Sequence, residues 1–476
     1  MDVESFLSAD KSIIIAPAGY GKTYTIAEAI AAYDGDKKVL VLTHTHAGIA
    51  SLREKFQQRG LSPSAYHLDT ICSFALELTK TYHINKSDIP KESEASALFK
   101  FAVEHAAALL KAQPVRQLMS LRYNHLIVDE YQDCTVDQHR MILELAQTLK
   151  THLLGDPLQG IFGFGDQQIV DFNDGSFQPF FENCQTLDTP WRWKNAGCDA
   201  LGLDLARIRE KLLAGEDVAL QNYPSITLII GANDDYAKPG TAVKRQLFSE
   251  IGHGAVVIHP NSTSVEPRKK VVQQYRQLQL IEPIDGKDYY NWCLQFDRHS
   301  GRQLVKDVAD MMRKVCGKTG INNWIKADGS LVNKRNQDEK LIRDGLESVV
   351  DPLLVGKSYL KLANLIVSIA KLPDIVIYRK EFLRDIYQTL LDADRLSLTA
   401  YEAVVRNRNI LRRKGRKVPQ KSVGTTLLTK GLEFDTVVVL NAQDINDPRH
   451  LYVALTRCCR RLVVVSDRAV LHPYGQ

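Results

Sequence analysis

Short apolar runs, each leading into a polar turn and then a helical pattern, dominate the first 160 residues. KSIIIAPAGYGKTYTIAEAIAAY, from Lys11, reads as a buried strand, a glycine-bearing turn and an amphipathic helix. VLVLTHTHAGIASLREKF, Val39 to Phe56, repeats strand, loop and helix. HLIVDEYQDC from His125 and THLLGDPLQ from Thr151 are apolar runs that close on carboxylates. Apolar strands alternating with helices predict a parallel sheet covered on both faces, with ligand-binding groups at the strand C-termini. A second set of such strands comes late, in ITLIIGAND (from Ile226), AVVIHP (from Ala255), DTVVVLNAQD (from Asp435) and RLVVVSD (from Arg461). Between Pro260 and Ser422 the period turns mostly helical, as in GRQLVKDVADMMRKV and SYLKLANLIVSIAKL. The pattern therefore predicts two α/β domains, the second interrupted by a helical insertion.

Composition adds little except through charge. With 476 residues, 44% hydrophobic and 25% charged, the chain is long enough for several cores and has no disordered or collagenous bias. No apolar run reaches the ~18 residues of a membrane span, and the acidic start MDVESFLSAD has no secretion-signal pattern. The eight cysteines show no metal-ligand spacing, so a reduced, cytoplasmic, metal-free scaffold is expected. Net charge is +5, but Val265 to Lys421 alone holds 31 Lys+Arg against 19 Asp+Glu. That basic block reads either as a contact for a polyanion or as a solvated helical surface.

Ala16-Pro17-Ala18-Gly19-Tyr20-Gly21-Lys22-Thr23 has the spacing of a phosphate-binding loop, with Ala16 in place of the first glycine. Small residues let the backbone of Ala18, Gly19, Tyr20 and Gly21 wrap phosphates. Lys22 reaches the β- and γ-phosphates, and Thr23 suits Mg²⁺. Asp129-Glu130 follows a strand about a hundred residues on. In that setting Asp129 is the Mg²⁺-linked carboxylate and Glu130 the base that orients the attacking water.

Together with these two segments, the rest of the chain resembles the superfamily 1 helicases of the UvrD/Rep/PcrA type, in a compact form similar to the Gabija B subunit. VDEYQD resembles their motif II, GDPLQGIFGF motif III, PWRW motif IV, TKGLEFD motif V and LYVALTR motif VI. LTHTHAGIASL and DTICSFALEL resemble motifs Ia and Ib. The resemblance implies two RecA-like P-loop NTPase domains with helical insertions. Domain 1A would be 1–188 with a small 1B insertion at 79–122, and domain 2A would be 189–260 plus 422–476 around a 2B insertion at 261–421. It implies that Gln159 couples the γ-phosphate to the nucleic-acid path, that Arg192 and Arg457 reach the γ-phosphate, and that Glu433 contacts the ribose. It implies DNA contacts from Thr43, Thr45, His46, Ser73, Phe74, Phe162, Phe164 and Thr426. Phe162 and Phe164 offer faces for base stacking, or else form a buried strand pair. Trp191 and Trp193 either stack on a base or pack around Arg192.

Two positions depart from the motifs. Met1 to Lys11 contains no glutamine of the kind that reads adenine in the family, so ATP over GTP is not fixed by it. Leu427 stands where motif V has a histidine. The resulting expectation is an ATP- and Mg²⁺-dependent 3′-to-5′ DNA helicase or translocase acting on single-stranded and forked DNA. The alternative is a DNA-stimulated ATPase that serves as sensor or activator in an anti-phage defence or repair complex with a partner nuclease.

Overall fold

The computed structural model describes residues 2–90, 95–162, 168–232, 234–284, 286–414 and 418–475. The chain divides into two units, 1–235 with 429–476, and 236–428. In the first unit, six strands form one parallel sheet: β1 (Lys11–Ile15), β2 (Lys38–Thr43), β3 (Tyr66–Thr70), β4 (Tyr123–Val128), β5 (Lys150–Gly155) and β6 (Cys184–Thr186). Their order is β3-β2-β4-β5-β1-β6. The central strands are buried on both faces, which is why they read as unbroken apolar runs. One face packs Ile14, Val39, Val41, Ile127 and Leu154 against the helices Lys22–Ala32 and His46–Gln58. The other packs Ile13, Leu40, Leu42, Leu126 and Val128 against Ile71–Tyr82, Ala95–Leu109 and Val136–Leu145. Because all the strands run parallel, Ala16, Thr43, Thr70, Asp129 and Asp156 emerge along one edge.

The first unit also holds β7 (Val218–Ala219) and β8 (Ile226–Ile230). The second unit contributes β9 (Ala255–Ile258), β10 (Gln279–Leu280) and β11 (Ser422–Gly424), paired in parallel as β9-β11-β10. The chain returns to the first unit with β12 (Phe434–Val439), β13 (Cys458–Ser466) and β14 (Val470–Leu471). There β12, β13 and β8 run parallel in that order, and β14 pairs antiparallel with β7. Both expected strand sets are present, and the fold class is α/β with mostly parallel sheets.

The rest of the second unit is helical around its own core. Gly301–Val315 places Leu304, Val305, Val308, Met311, Met312 and Val315 on one buried face. Arg379 makes a bidentate pair with Glu282, at 2.7 and 2.8 Å, and a third bond to Asp288. Arg408 is buried against Asp385 and the face of Tyr289. Among the described residues, no helix is long and apolar enough to cross a membrane.

Candidate active site

The phosphate-loop segment leaves β1 and enters the helix Lys22–Ala32 with Gly19 at φ +75 and Gly21 at φ +90. A Cβ on Gly19 would lie 2.9 Å from the Cβ of Arg192, so only glycine fits both the left-handed backbone and the close approach. Ala16 is fully buried, and its N–H donates to the Gly155 carbonyl. A methyl is therefore accommodated where the pattern has glycine. Lys22 is nearly buried and donates from Nζ to the Ala16 carbonyl at 3.1 Å. Thr23 follows it, half-buried, in the first helical turn.

Asp129 and Glu130 follow β4. Asp129 is 3% exposed and accepts the Glu130 N–H at 2.9 Å. Glu130 itself sits at φ +54, rare for a residue with a Cβ, and its carboxylate accepts from the Gln132 amide. Burial beside a second carboxylate pushes Asp129 up. Burial would push Glu130 up as well, but the charges of Lys22 and Lys430 more than offset it and hold Glu130 below the usual range.

The helix Trp191–Asn195 and the C-terminal segment of the same unit complete the surroundings. Arg192 donates its backbone N–H to Gly19, its guanidinium to the Thr456 carbonyl, and a 2.7 Å ion pair to Glu433. Arg457 is 2% exposed and has no ion pair among the described residues. It donates instead to the Val453 and Leu432 carbonyls and to Thr456 Oγ1. Burial, aided by Arg192, lowers it to about 10, so it stays charged. Tyr452 accepts the Ala18 N–H at 3.2 Å. Trp193 is buried, with its indole N–H on the Cys458 carbonyl, and packs around the arginine. Trp191 is 47% exposed and lies against Gly21.

The expected nucleic-acid residues fall into distinct environments. Phe162 stacks at 5.7 Å on His44, with Lys430 Nζ 4.4 Å above its ring. Burial and Lys430 push the His44 imidazole down to about 4, so it is neutral at ordinary pH. Thr45 caps the helix His46–Gln58 through the Gly48 N–H, and His46 opens that helix, half-buried. Thr43 is fully buried. Ser73 is half-buried at the first turn of Ile71–Tyr82, on the Thr70 cap. Phe74 points the other way and is a core side chain at 3% exposure. Thr426 is buried within the second unit, and Phe164 lies outside the described residues. Gln159 is buried, with its amide turned onto Asp156 at 3.0 Å.

Four residues outside the expected set tie these parts together. Lys430 pairs with Asp133 at 2.5 and 2.6 Å and donates to the Gln159 carbonyl. Burial pushes Asp133 up and Lys430 down, and their mutual attraction opposes both; three short acceptors around Nζ are satisfied only by the ammonium form. Gln132 bridges Glu130 and the Asp156 N–H. Arg209 pairs with Asp156 at 2.9 Å, both largely buried. Tyr452 is the fourth. Gln132, Lys430 and Tyr452 lie inside the runs that resemble motifs II, V and VI, whereas Arg209 carries no local signal.

Residues 2–165 match the family described as AAA domain. The RecBCD enzyme subunit RecB of Buchnera aphidicola subsp. Schizaphis graminum is 30% identical over 93 residues, which are 19% of this chain and 8% of that protein. An ATP-dependent helicase/nuclease subunit from Streptococcus thermophilus is 34% identical over 140 residues, 28% of this chain and 11% of that protein. The chain thus matches only about a tenth of the length of these curated relatives. Among solved structures, Pif1 helicase from Candida albicans aligns over 98% of this chain and 93% of that one, at TM-score 0.41 and 13% identity. The PRRSV helicase aligns over 98% and 54%, at TM-score 0.35 and 10% identity. The chain is thus similar over residues 2–165 to the AAA domain family, and over shorter stretches to RecB and to the streptococcal helicase/nuclease subunit.

Proposed function

We propose that the protein is an ATP-driven DNA helicase or single-stranded DNA translocase, moving 3′ to 5′. The observation that carries this reading is the convergence, within one unit, of Lys22, Asp129, Glu130, Arg192, Glu433 and Arg457 about the phosphate loop. Lys22 and the loop backbone bind the β- and γ-phosphates, and Glu433 takes the ribose. Glu130 orients the attacking water and takes its proton, while Arg192 and Arg457 offset charge on the transferring phosphoryl group. The Thr23 hydroxyl and the buried Asp129 carboxylate are an all-oxygen donor set that fits Mg²⁺, whose chemistry there is to neutralise phosphate charge.

Lys430 links this centre to the nucleic-acid path, since one ammonium touches Asp133, the Gln159 carbonyl and the Phe162 ring. Phe162, His44, Thr45, His46 and Ser73 would then line the strand, and Gln159 would report on both ligands. In this reading domain 1A is 1–188 with 1B at 79–122, domain 2A is 189–260 with 422–476, and 2B is 261–421. A strand-displacement assay on 3′-tailed, 5′-tailed and blunt duplexes, run beside ATPase measurements with and without DNA, tests it. Displacement of the 3′-tailed duplex alone is expected; no displacement and no DNA stimulation would remove the reading.

A second reading is a DNA-stimulated ATPase that unwinds little and works beside a partner nuclease. It draws on the relatives, one named as part of the RecBCD enzyme and the other as part of a helicase/nuclease. DNA-stimulated ATPase without strand displacement on any of the three duplexes would favour it.

A further inference from the structure

The edge strand β3 and the helix that follows it bring three ligand-type side chains together, away from the phosphate loop. His67 and Asp69, two residues apart on β3, project from the same face of the strand. Glu77 comes from the helix Ile71–Tyr82. One ligand atom from each lies within 4.8 Å of the other two. Among the described residues, neither carboxylate forms an ion pair. Among the described residues Asp69 accepts one hydrogen bond, from the Thr70 N–H at 2.7 Å, which leaves its other lone pairs for a ligand. The Asp69 and Glu77 carboxylates thus lie close to each other and to the His67 ring, at a spacing one divalent ion can span.

The imidazole of His67 is held from behind. Its Nδ1 is 2.5 Å from the Tyr123 hydroxyl, and the two rings stack at 5.8 Å. That contact fixes the orientation of the ring, as hydrogen-bond partners of histidine ligands do in protein metal sites.

We propose that His67, Asp69 and Glu77 form a divalent metal site that staples the edge strand to the helix Ile71–Tyr82. One nitrogen and two carboxylates suit Mn²⁺, Co²⁺ or Zn²⁺ rather than the all-oxygen preference of Mg²⁺ or Ca²⁺. With β1 four strand positions from β3, the site is about 19 Å across the sheet from the strand bearing the phosphate loop, at ~4.8 Å per strand. It is therefore separable from nucleotide-linked Mg²⁺.

The test uses the full chain, stripped with chelator and free of nucleotide, titrated with Mn²⁺ by electron paramagnetic resonance and with Co²⁺ by visible absorption. Wild type and Asp129→Asn should each bind one equivalent, which separates this site from the nucleotide centre. His67→Ala and Glu77→Gln should weaken that binding by at least about 10-fold. Glu77 is exposed, so Glu77→Gln keeps the fold and serves as the decisive variant. Affinity unchanged in both variants, or no ion bound by wild type at millimolar metal, would overturn the proposal. Loss of the equivalent in Asp129→Asn would also overturn it, by assigning the ion to the phosphate site.

Discussion

Glu130 carries two costs that a structural carboxylate would avoid. Its backbone is left-handed at φ +54, worth roughly 1–2 kcal/mol for a residue with a Cβ. Its carboxylate is buried and depends on Lys22, Lys430 and Gln132 to stay ionised. Such strain persists where neighbours over-determine it, here the Asp129 carboxylate on its own N–H and the Gln132 amide on its side chain. Glu130→Gln should therefore lower the ATPase rate by roughly 10²–10⁴-fold while nucleotide binding persists, because a general base is lost and no phosphate contact is. Lys22→Ala should instead abolish nucleotide binding itself. Turnover assays beside fluorescent-nucleotide titration separate the two, and a Glu130→Gln variant above a tenth of wild-type rate would remove Glu130 as the base.

The two arginines are held differently, and their variants should behave differently. Arg192 is paired with the 55%-exposed Glu433, a contact it can exchange for a phosphate without leaving a buried charge behind. Among the described residues, Arg457 makes no ion pair and is held by hydrogen bonds to carbonyls and a hydroxyl. Both Ala variants should lower kcat strongly with a smaller change in nucleotide affinity, because charge at the γ-phosphate grows toward the transition state. Arg457→Ala should also lower the melting temperature, since it strips three bonds from the turn after Pro448–Leu455, whereas Arg192→Ala should not do so to the same extent. Unchanged kcat in both would mean that neither arginine acts on the transferring phosphoryl group.

At the scale of elements, Lys430 joins the turn after β4, the turn after β5 and the segment before β12 through one buried ammonium. Lys430 and Asp133 are 6% and 2% exposed, so removing one partner strands the other charge. Lys430→Met should cost about 3–5 kcal/mol in denaturant unfolding. The pair Lys430→Met with Asp133→Leu should recover much of that, and equal losses in single and double variants would show that the pair is not the source. The strands are legible in the sequence because burial on both faces writes them as apolar runs, and the phosphate loop because its glycines and lysine are contiguous. Arg209 on Asp156 and Tyr452 on the Ala18 N–H are not, since each joins distant segments and neither residue type marks its partner. Phe74 departs from the expected DNA contact for a related reason. It is adjacent to the half-buried Ser73 in a helix, where neighbouring positions point about 100° apart, and only packing tells which of them faces the core.

At the scale of the whole molecule, the charge asymmetry is the remaining feature with a functional reading. The stretch Arg406 to Lys417 holds seven positive charges and no acidic residue. Not all of them are available to a polyanion, because Arg408 is buried on Asp385 and Tyr289 and serves the helical core. Arg406 is exposed, and the side chains from 412 to 417 lie outside the described residues. If this stretch tracks duplex phosphates, each contact releases condensed counterions and steepens the salt dependence of binding by ~0.9. Changing Arg412, Arg413, Lys414 and Lys417 to Ala should then flatten the slope of log K against log salt for forked DNA by as much as about 3–4. ATPase activity saturated with a short single-stranded oligonucleotide should stay near wild type, because that ligand offers no duplex phosphates. Arg408→Ala should show the opposite pattern, a loss of stability with the salt slope unchanged. Equal slopes for wild type and the quadruple variant would assign the basic stretch to a solvated surface or a protein contact and remove the DNA track.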